Sequence, residues 1–330
     1  MFTKYIGIDL GTTNVLIFVR GKGIVLNEAS LVAIDNESKE IVAVGNDAKE
    51  MLGRTPENVK IIQPMKDGVI ADFELAEIML NTFINKLKGI NFITRPIILI
   101  CCPNNITNLE RNALKEIAER MGARKVYIEE ETKMAALGAG MDLDIPEANM
   151  VVDIGGGTTD IAVLSLNGTV ISKSIKVAGN YFDNEIIRYI KDKYKILIGE
   201  LTAENIKIEF ANVKNPLKKE KMEVKGRNLS TGLPDKVEIN QQEIKEALDE
   251  SINKIIKTVT SVLEQTPPEL SGDIMERGII LTGGGSQIKG LNEVLEEKLK
   301  VPVLTTSSPL TCVVEGTGII LSKPKMLRDN

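Results

Sequence analysis

Short apolar runs that end on an acid and then on small residues recur along the chain. KYIGIDLGTT passes into NVLIFVR, and a third apolar stretch, GIVLNEASLVAI, follows the turn at Gly21 to Gly23. MVVDIGGGTTDIAVLSL repeats the pattern, and RGIILTGGGS repeats its first half. Each reads as a buried strand running into a sharp turn. Between them the apolar period changes. Leu75, Met79, Phe83 and Leu87 fall at four-residue spacing and predict a helix over 72–88. Thr107 with Glu110 forms a capping box, and Gly122 closes the helix it opens. IILICC and residues 125–128 read as strands, and EEETKMAALGAG as an acidic turn into a small-residue helix. Further helices are predicted over 181–194 and 202–212, the second carrying Glu204 and Lys207. Residues 214–239 are polar and strand-like, with turns expected at Lys225-Gly226 and Leu233-Pro234. Asn240 and Glu243 cap a long helix ending near Pro267. Leu291, Val294, Leu295 and Leu299 mark another, and Glu315 to Gly318 opens the last. Strands alternating with helices predict an α/β architecture.

Two of the strand ends share one pattern. Asp9-Leu10-Gly11-Thr12-Thr13-Asn14 answers to Asp153-Ile154-Gly155 through Asp160, each with an acid, a small turn and paired threonines. An echo at nearly half the chain length predicts two related lobes. Glycines let the backbone approach a ligand closely, and consecutive inward amides suit phosphate oxygens. An acid at the strand end is placed to hold a hydrated divalent cation. A glycine-rich hairpin without a ligand is the other reading of either stretch alone. No GxxxxGK[ST] and no GxGxxG is present, so neither a P-loop nor a dinucleotide fold is indicated.

Composition narrows the chemistry. At 330 residues the chain exceeds the usual span of a single core. Hydrophobic residues make up 43% but aromatics only 4%, so Ile, Val and Leu must fill the core. The net charge of −5 shows no nucleic-acid footprint. The chain contains no His, which excludes imidazole metal sites and His-based triads. Any hydrolysis must rest on carboxylates, hydroxyls, backbone amides and a cation. Cys101, Cys102 and Cys312 suggest buried thiols in a reducing compartment. No signal peptide and no apolar run of membrane-spanning length appears, so the protein is expected to be soluble or attached to a membrane surface.

In this order, IGIDLGTTN, PMKDGVIADFELAEIML, MVVDIGGGTTDIAV, LSTGLP, TPPEL and ERGIILTGGGS resemble the bacterial actin MreB family of the actin-like ATPase superfamily. The resemblance covers essentially the whole chain. It implies an actin-like α/β fold of two ribonuclease-H-like lobes around a nucleotide cleft, each with a small insertion. Residues 1–31, 71–148 and 313–330 would form the lobe I core and 32–70 its insertion. Residues 149–180 and 246–312 would form the lobe II core and 181–245 its insertion. ATP or ADP with Mg²⁺ would be the cofactor. Asp9 and Asp153 would hold the metal largely through water. Gly11, Thr12, Thr13 and Asn14 would line one phosphate hairpin, and Gly155, Gly156, Gly157 and Thr158 the other. Glu204 and Lys207 would reach the ribose or adenine, with Gly284, Gly285, Ser286, Gln287 and Ile288 on the other side of the adenosine.

For hydrolysis, the resemblance makes Glu131 the residue that aims water, aided by Thr158. On the residues alone, Glu131 reads more readily as one acid of a solvated turn with Glu129 and Glu130. Relatives usually carry Glu-Pro here, whereas this chain has Glu131-Thr132-Lys133, which is expected to loosen the turn and add a charge. Asp160 stands where bacterial actins often carry Glu. The resemblance further implies homopolymer filaments under the inner face of the cell membrane, a cytoplasmic and peripheral location, and accessory partners of cell shape or motility. Ile90, Phe92 and Ile93 form an apolar loop expected to enter the membrane, with packing onto its own domain as the alternative. A basic tail at Lys323, Lys325 and Arg328 would add attraction to anionic headgroups. The chain's end at Asn330 leaves no length for a chaperone's substrate-binding domain, so a chaperone-type ATPase is the secondary expectation, beside an ATP-binding scaffold with little hydrolysis.

Overall fold

A computed structural model describes residues 4–87, 95–323 and 327. The expected membrane loop Ile90, Phe92 and Ile93 therefore lies outside the described residues, as do Lys325 and Arg328 of the basic tail. The first apolar runs form β1 (Tyr5–Leu10), β2 (Asn14–Val19) and β3 (Gly23–Ala29), an antiparallel meander. The stretch read as one long third strand breaks at Ser30. Its second half is β4 (Val32–Asp35), which leaves to pair with β5 (Ile41–Val44) and β6 (Val59–Ile62) in a separate small sheet. The short helix α1 (Asn46–Glu50) covers this insertion. A tight hairpin of β7 (Met65–Lys66) and β8 (Val69–Ile70) then leads into α2 (Phe73–Lys86), which Asp72 caps through Leu75 N at 3.0 Å. The predicted stripe of Leu75, Met79, Phe83 and Leu87 is buried. Strands β9 (Ile97–Cys102) and β10 (Lys125–Glu130) flank α3 (Asn108–Arg120) and run parallel to β1, giving the sheet order β10-β9-β1-β2-β3.

The second half is built on the same plan. After α4 (Glu131–Gly138) come β11 (Asn149–Ile154), β12 (Thr159–Ser165) and β13 (Gly168–Ile175), again an antiparallel meander. The helix α5 (Gly179–Tyr194) leads to an insertion of β14 (Ile196–Leu197), α6 (Glu200–Asn205), β15 (Lys221–Asn228) and β16 (Pro234–Asn240). The long α7 (Gln241–Leu263), opened by the Asn240–Glu243 capping box, returns to the core. Helix α8 (Pro268–Arg277), β17 (Ile279–Thr282), α9 (Leu291–Leu299), β18 (Val303–Thr305) and α10 (Cys312–Ser322) complete the chain. Strands β17 and β18 run parallel to β11, and the order β13-β12-β11-β17-β18 is the first sheet's order read backwards.

Two expectations within the second insertion fail. Gly226 is no turn but an interior residue of β15, paired with Asp235. A methyl group there would lie 2.4 Å from the carbonyl of Leu197 on the neighbouring strand, so glycine serves close approach. The helix predicted over 202–212 is α-helical only to Asn205 and continues over Ile206–Phe210 as a wider π turn. Such turns are uncommon and concentrate at functional sites.

The two halves meet along α4 and α10, the most extensive contact between elements among the described residues. The approach is backbone on backbone. A methyl group at Gly138 would lie 1.9 Å from the carbonyl oxygen of Cys312, and one at Gly316 would lie 1.9 Å from that of Met134. Gly316→Ala should therefore destabilise the fold by about 2 kcal/mol or more, the cost of overpacking against atoms that cannot turn aside. Gly272 lies inside α8 with nothing within 4 Å of a Cβ. There the same change should stabilise by about 0.5–1 kcal/mol through helix propensity. Denaturant titration of both variants checks the opposite signs.

Candidate functional site

The three glycine-rich strand ends converge on one cleft of about 480 Å³ between the two large sheets. Each acid stands where its strand stops. Asp9 is the next-to-last residue of β1, opposite Leu16 of β2 and Cys101 of β9. Asp153 holds the matching place on β11, opposite Asp160 of β12 and Thr282 of β17. The turns that follow interlock. A methyl group at Gly156 would fall 1.8 Å from Thr13 Oγ1, and one at Gly157 would fall 2.4 Å from Thr12 Oγ1. Only glycine lets the hairpins of the two lobes pass this closely. The third turn starts at Gly283, where two facts exclude a side chain. Its φ is 84°, and a Cβ there would fall 2.4 Å from Asp153 Oδ1.

The cleft is lined by Asp9, Gly11, Thr12, Thr13, Asn14, Glu131, Asp153, Gly155, Gly156, Gly157, Thr158, Glu204, Lys207, Gly284, Gly285, Gln287 and Ile288. Ser286 is the exception among the predicted residues. It is buried and donates to Gly283 O at 2.6 Å, which braces the turn from behind. At the rim, Lys49 of α1 donates to Glu204 Oε1 at 3.1 Å, joining the two insertions across the cleft. Lys207 is turned inward, donating to Asp183 Oδ2 at 2.7 Å and to Gly179 O at 3.1 Å.

The floor is acidic. Burial pushes Asp9 up to about 7, and burial together with the nearby Asp160 and Asp9 pushes Asp153 up to about 8. Burial also raises Glu131 well above the ordinary carboxylate range, helped by Asp160, Asp9 and Asp153. Asp153 Oδ1 is buried and has no hydrogen-bond partner. Yet among the described residues no three acidic or thiol side chains stand close enough to ligate an ion directly. A hydrated cation suits these facts, since it neutralises the carboxylates while reaching them through water. Glu131 is thus no member of a solvated acidic turn. The extra charge expected from Lys133 is directed elsewhere, to Glu129 Oε2 at 2.8 Å.

Several lining residues went unpredicted. Gly68 is one of them: with Asp67, at φ of 79° and 52°, it forms the β7–β8 turn, and Gly68 N donates to Thr12 Oγ1 at 2.8 Å. The Asp-Gly pair is itself a hairpin signal that points to this turn. Gly179 and Asn180 begin α5, and their amides donate to the carbonyls of Gly155 and Gly156 at 3.0 and 2.8 Å. Ile208, on the π turn, and Leu310 are 68% and 49% exposed and form the apolar lips of the cleft. Nothing local in the sequence marks either.

The MreB/Mbl protein family model matches residues 3–329. The chain belongs to the MreB/Mbl family. It is 56% identical to the cell shape-determining protein Mbl of Bacillus subtilis over 321 residues, covering 97% of this chain and 96% of that one. With the cell shape-determining protein MreB of Escherichia coli it shares 48% identity over 323 residues, covering 96% and 93%. Among solved structures, MreB5 of Spiroplasma citri bound to AMPPNP superposes with a TM-score of 0.95 at 42% identity, covering 98% of each chain. A MamK double helical filament subunit, at 23% identity and a TM-score of 0.82, shares the fold. The actin-like, two-lobed architecture is the one that the family resemblance implied.

The raised carboxyls set a pH dependence. Below about pH 4 both the folded and the unfolded chain hold these protons. Between there and the folded values of about 7 and about 8, the unfolded chain releases them first. The fold without ligand therefore loses stability as pH rises through this window. In EDTA without nucleotide, Tm should be lower at pH 8 than at pH 6, by about 2–4 °C for each kcal/mol lost. The Asp9→Asn/Asp153→Asn variant should flatten the profile in a calorimetric scan.

Proposed function

We propose that this cleft binds ATP with Mg²⁺ and hydrolyses it to ADP, and that the protein assembles into membrane-associated filaments organising cell shape or motility. The observation that carries the reading is the meeting of three glycine-rich strand ends over Asp9, Asp153 and Glu131 in one cleft. Family membership supports it, as do the AMPPNP-bound and ADP-bound MreB5 structures from S. citri. The hairpins at Gly11–Asn14 and Gly155–Thr158 offer amides and hydroxyls to the phosphates. Asp9 and Asp153 would hold the hydrated cation, which would supply positive charge to the phosphate oxygens. Glu131 accepts a hydrogen bond from the attacking water, and Thr158 orients that water.

Glu204 would leave Lys49 to meet the ribose, and Ile208 and Leu310 would flank the base. The chain divides for this purpose into lobe I (1–31, 71–148 and 313–330) with insertion 32–70, and lobe II (149–180 and 246–312) with insertion 181–245. Head-to-tail contacts between copies do not close on themselves, so they extend into filaments. Membrane association rests on the apolar Ile90, Phe92 and Ile93 in the sequence. No helix among the described residues is long and apolar enough to cross a membrane.

Glu131→Ala should leave nucleotide affinity intact and slow phosphate release by about 10²-fold, the usual loss of a proton-handling group. Unchanged turnover would remove Glu131 from the reaction. Sedimentation with ATP and Mg²⁺, with and without anionic liposomes, tests assembly and attachment. Polymer should pellet with nucleotide and vanish with EDTA, and an Ile90, Phe92 and Ile93 triple-to-Ser variant should lose only the liposome-bound fraction. No polymer under any nucleotide would overturn the filament reading.

A further inference from the structure

The loop after β9 places one residue, Asn104, between the two groups that would handle the attacking water, with its side chain toward one and its backbone amide toward the other. Asn104 Oδ1 accepts a hydrogen bond from Thr132 Oγ1 at 2.8 Å, and Thr132 directly follows Glu131 in the first turn of α4. Its Nδ2 donates to Glu130 Oε2 at 3.1 Å, on the residue preceding Glu131. Asn104 thus grips the strand-to-helix turn on both sides of Glu131. The same Glu130 oxygen accepts from Thr169 Oγ1 at 2.5 Å, on β13 of the other lobe. The backbone amide of Asn104 meets Asp160 Oδ1 at 3.3 Å, and Asp160 also accepts from the hydroxyl of Thr158.

We propose that Asn104 is a positioning residue that fixes Glu131 and Thr158 relative to each other across the floor of the cleft. This rests on the hydrolysis reading above. Thr132 is fully buried, so its hydroxyl needs a partner, and Asn104 is the partner the fold supplies. The first turn of α4 has no side-chain cap, which leaves its entry angle to contacts of this kind. The Thr132–Asn104 bond restrains the turn in place of a ring-locked residue, so the turn after Glu131 is held rather than loosened. Water attack depends on placement at the level of an ångström, and Asn104 sets that placement without touching the water.

Asn104→Ala should lower kcat for phosphate release about 10-fold while KM and nucleotide affinity stay within about 2-fold, as expected for misplacement alone. Thr132→Val, which keeps shape and removes the hydroxyl, should lower kcat in the same way and by no more than Asn104→Ala, and Thr132→Ser should keep the wild-type rate. The double variant should be no slower than Asn104→Ala alone, because that change already deletes the bond that Thr132→Val removes. Hydrogen exchange of the nucleotide-free chain supplies a readout free of hydrolysis: amides at the start of α4 should exchange faster in Asn104→Ala, with distant elements unchanged. Wild-type rates in Asn104→Ala together with unchanged exchange would overturn the proposal, and so would multiplicative losses in the double variant. If the wild-type chain released no phosphate, the hydrolysis reading would fall, and the exchange experiment would still decide whether Asn104 holds the turn.

Discussion

Like charges held close together under low solvent exposure are the constraint on which this structure turns. Asp9, Glu131, Asp153 and Asp160 crowd beneath the cleft, and the neighbours that perturb Glu131 and Asp153 are themselves acidic. A fold that buries such a group without compensation gives up stability at neutral pH, and a ligand carrying a cation returns it. Binding and folding are thereby coupled through one set of atoms. The glycine hairpins follow from the same constraint. Carboxylates at the ends of two strands can share a cation only if the turns above them pass within contact distance, which Gly156 and Gly157 permit against Thr13 and Thr12.

Packing carries this geometry outward. Helix α10 wedges between β1 and α4, with Thr317 Oγ1 against the backbone of Gly7 and Phe18 against Gly318. Helix α4 begins at Glu131, so the α4–α10 seam between the two halves of the chain also sets the position of an acid over the cleft. The interior on both sides is aliphatic, with Ile, Val and Leu filling the sheets, as the scarcity of aromatics requires.

Much of this is legible in the sequence because it is local. The Thr107–Glu110 and Asn240–Glu243 capping boxes, the stripe from Leu75 to Leu87 and the acid-then-glycine strand ends are set within a few residues. What escapes is set by partners far away in the chain. Gly226 reads as a turn until the carbonyl of Leu197 is placed beside it. The π turn over Ile206–Phe210 has no compositional mark. Leu310 and Asn104 are ordinary residues whose roles exist only once another lobe or strand stands opposite. Ser286 misleads for the converse reason: its place in a glycine run resembles a ligand contact, but its hydroxyl is consumed by the turn's own carbonyl.

The seam has a reciprocity that separates what the halves share from what each has made its own. Gly138 sits four residues after Met134 and meets Cys312, while Gly316 sits four residues after Cys312 and meets Met134. Partner for partner, this is the form of an isologous contact on a two-fold axis, with the halves of one chain standing as two subunits. A symmetric pair of lobes would offer a ligand the same surface twice. An asymmetric nucleotide needs that equivalence broken, and the break is visible at corresponding strand ends. Strand β17 runs into Gly283 and a tight turn of the 3-10 type over Gly284–Gln287, whereas β9, its counterpart, runs into Pro103 and the bonded side chain of Asn104.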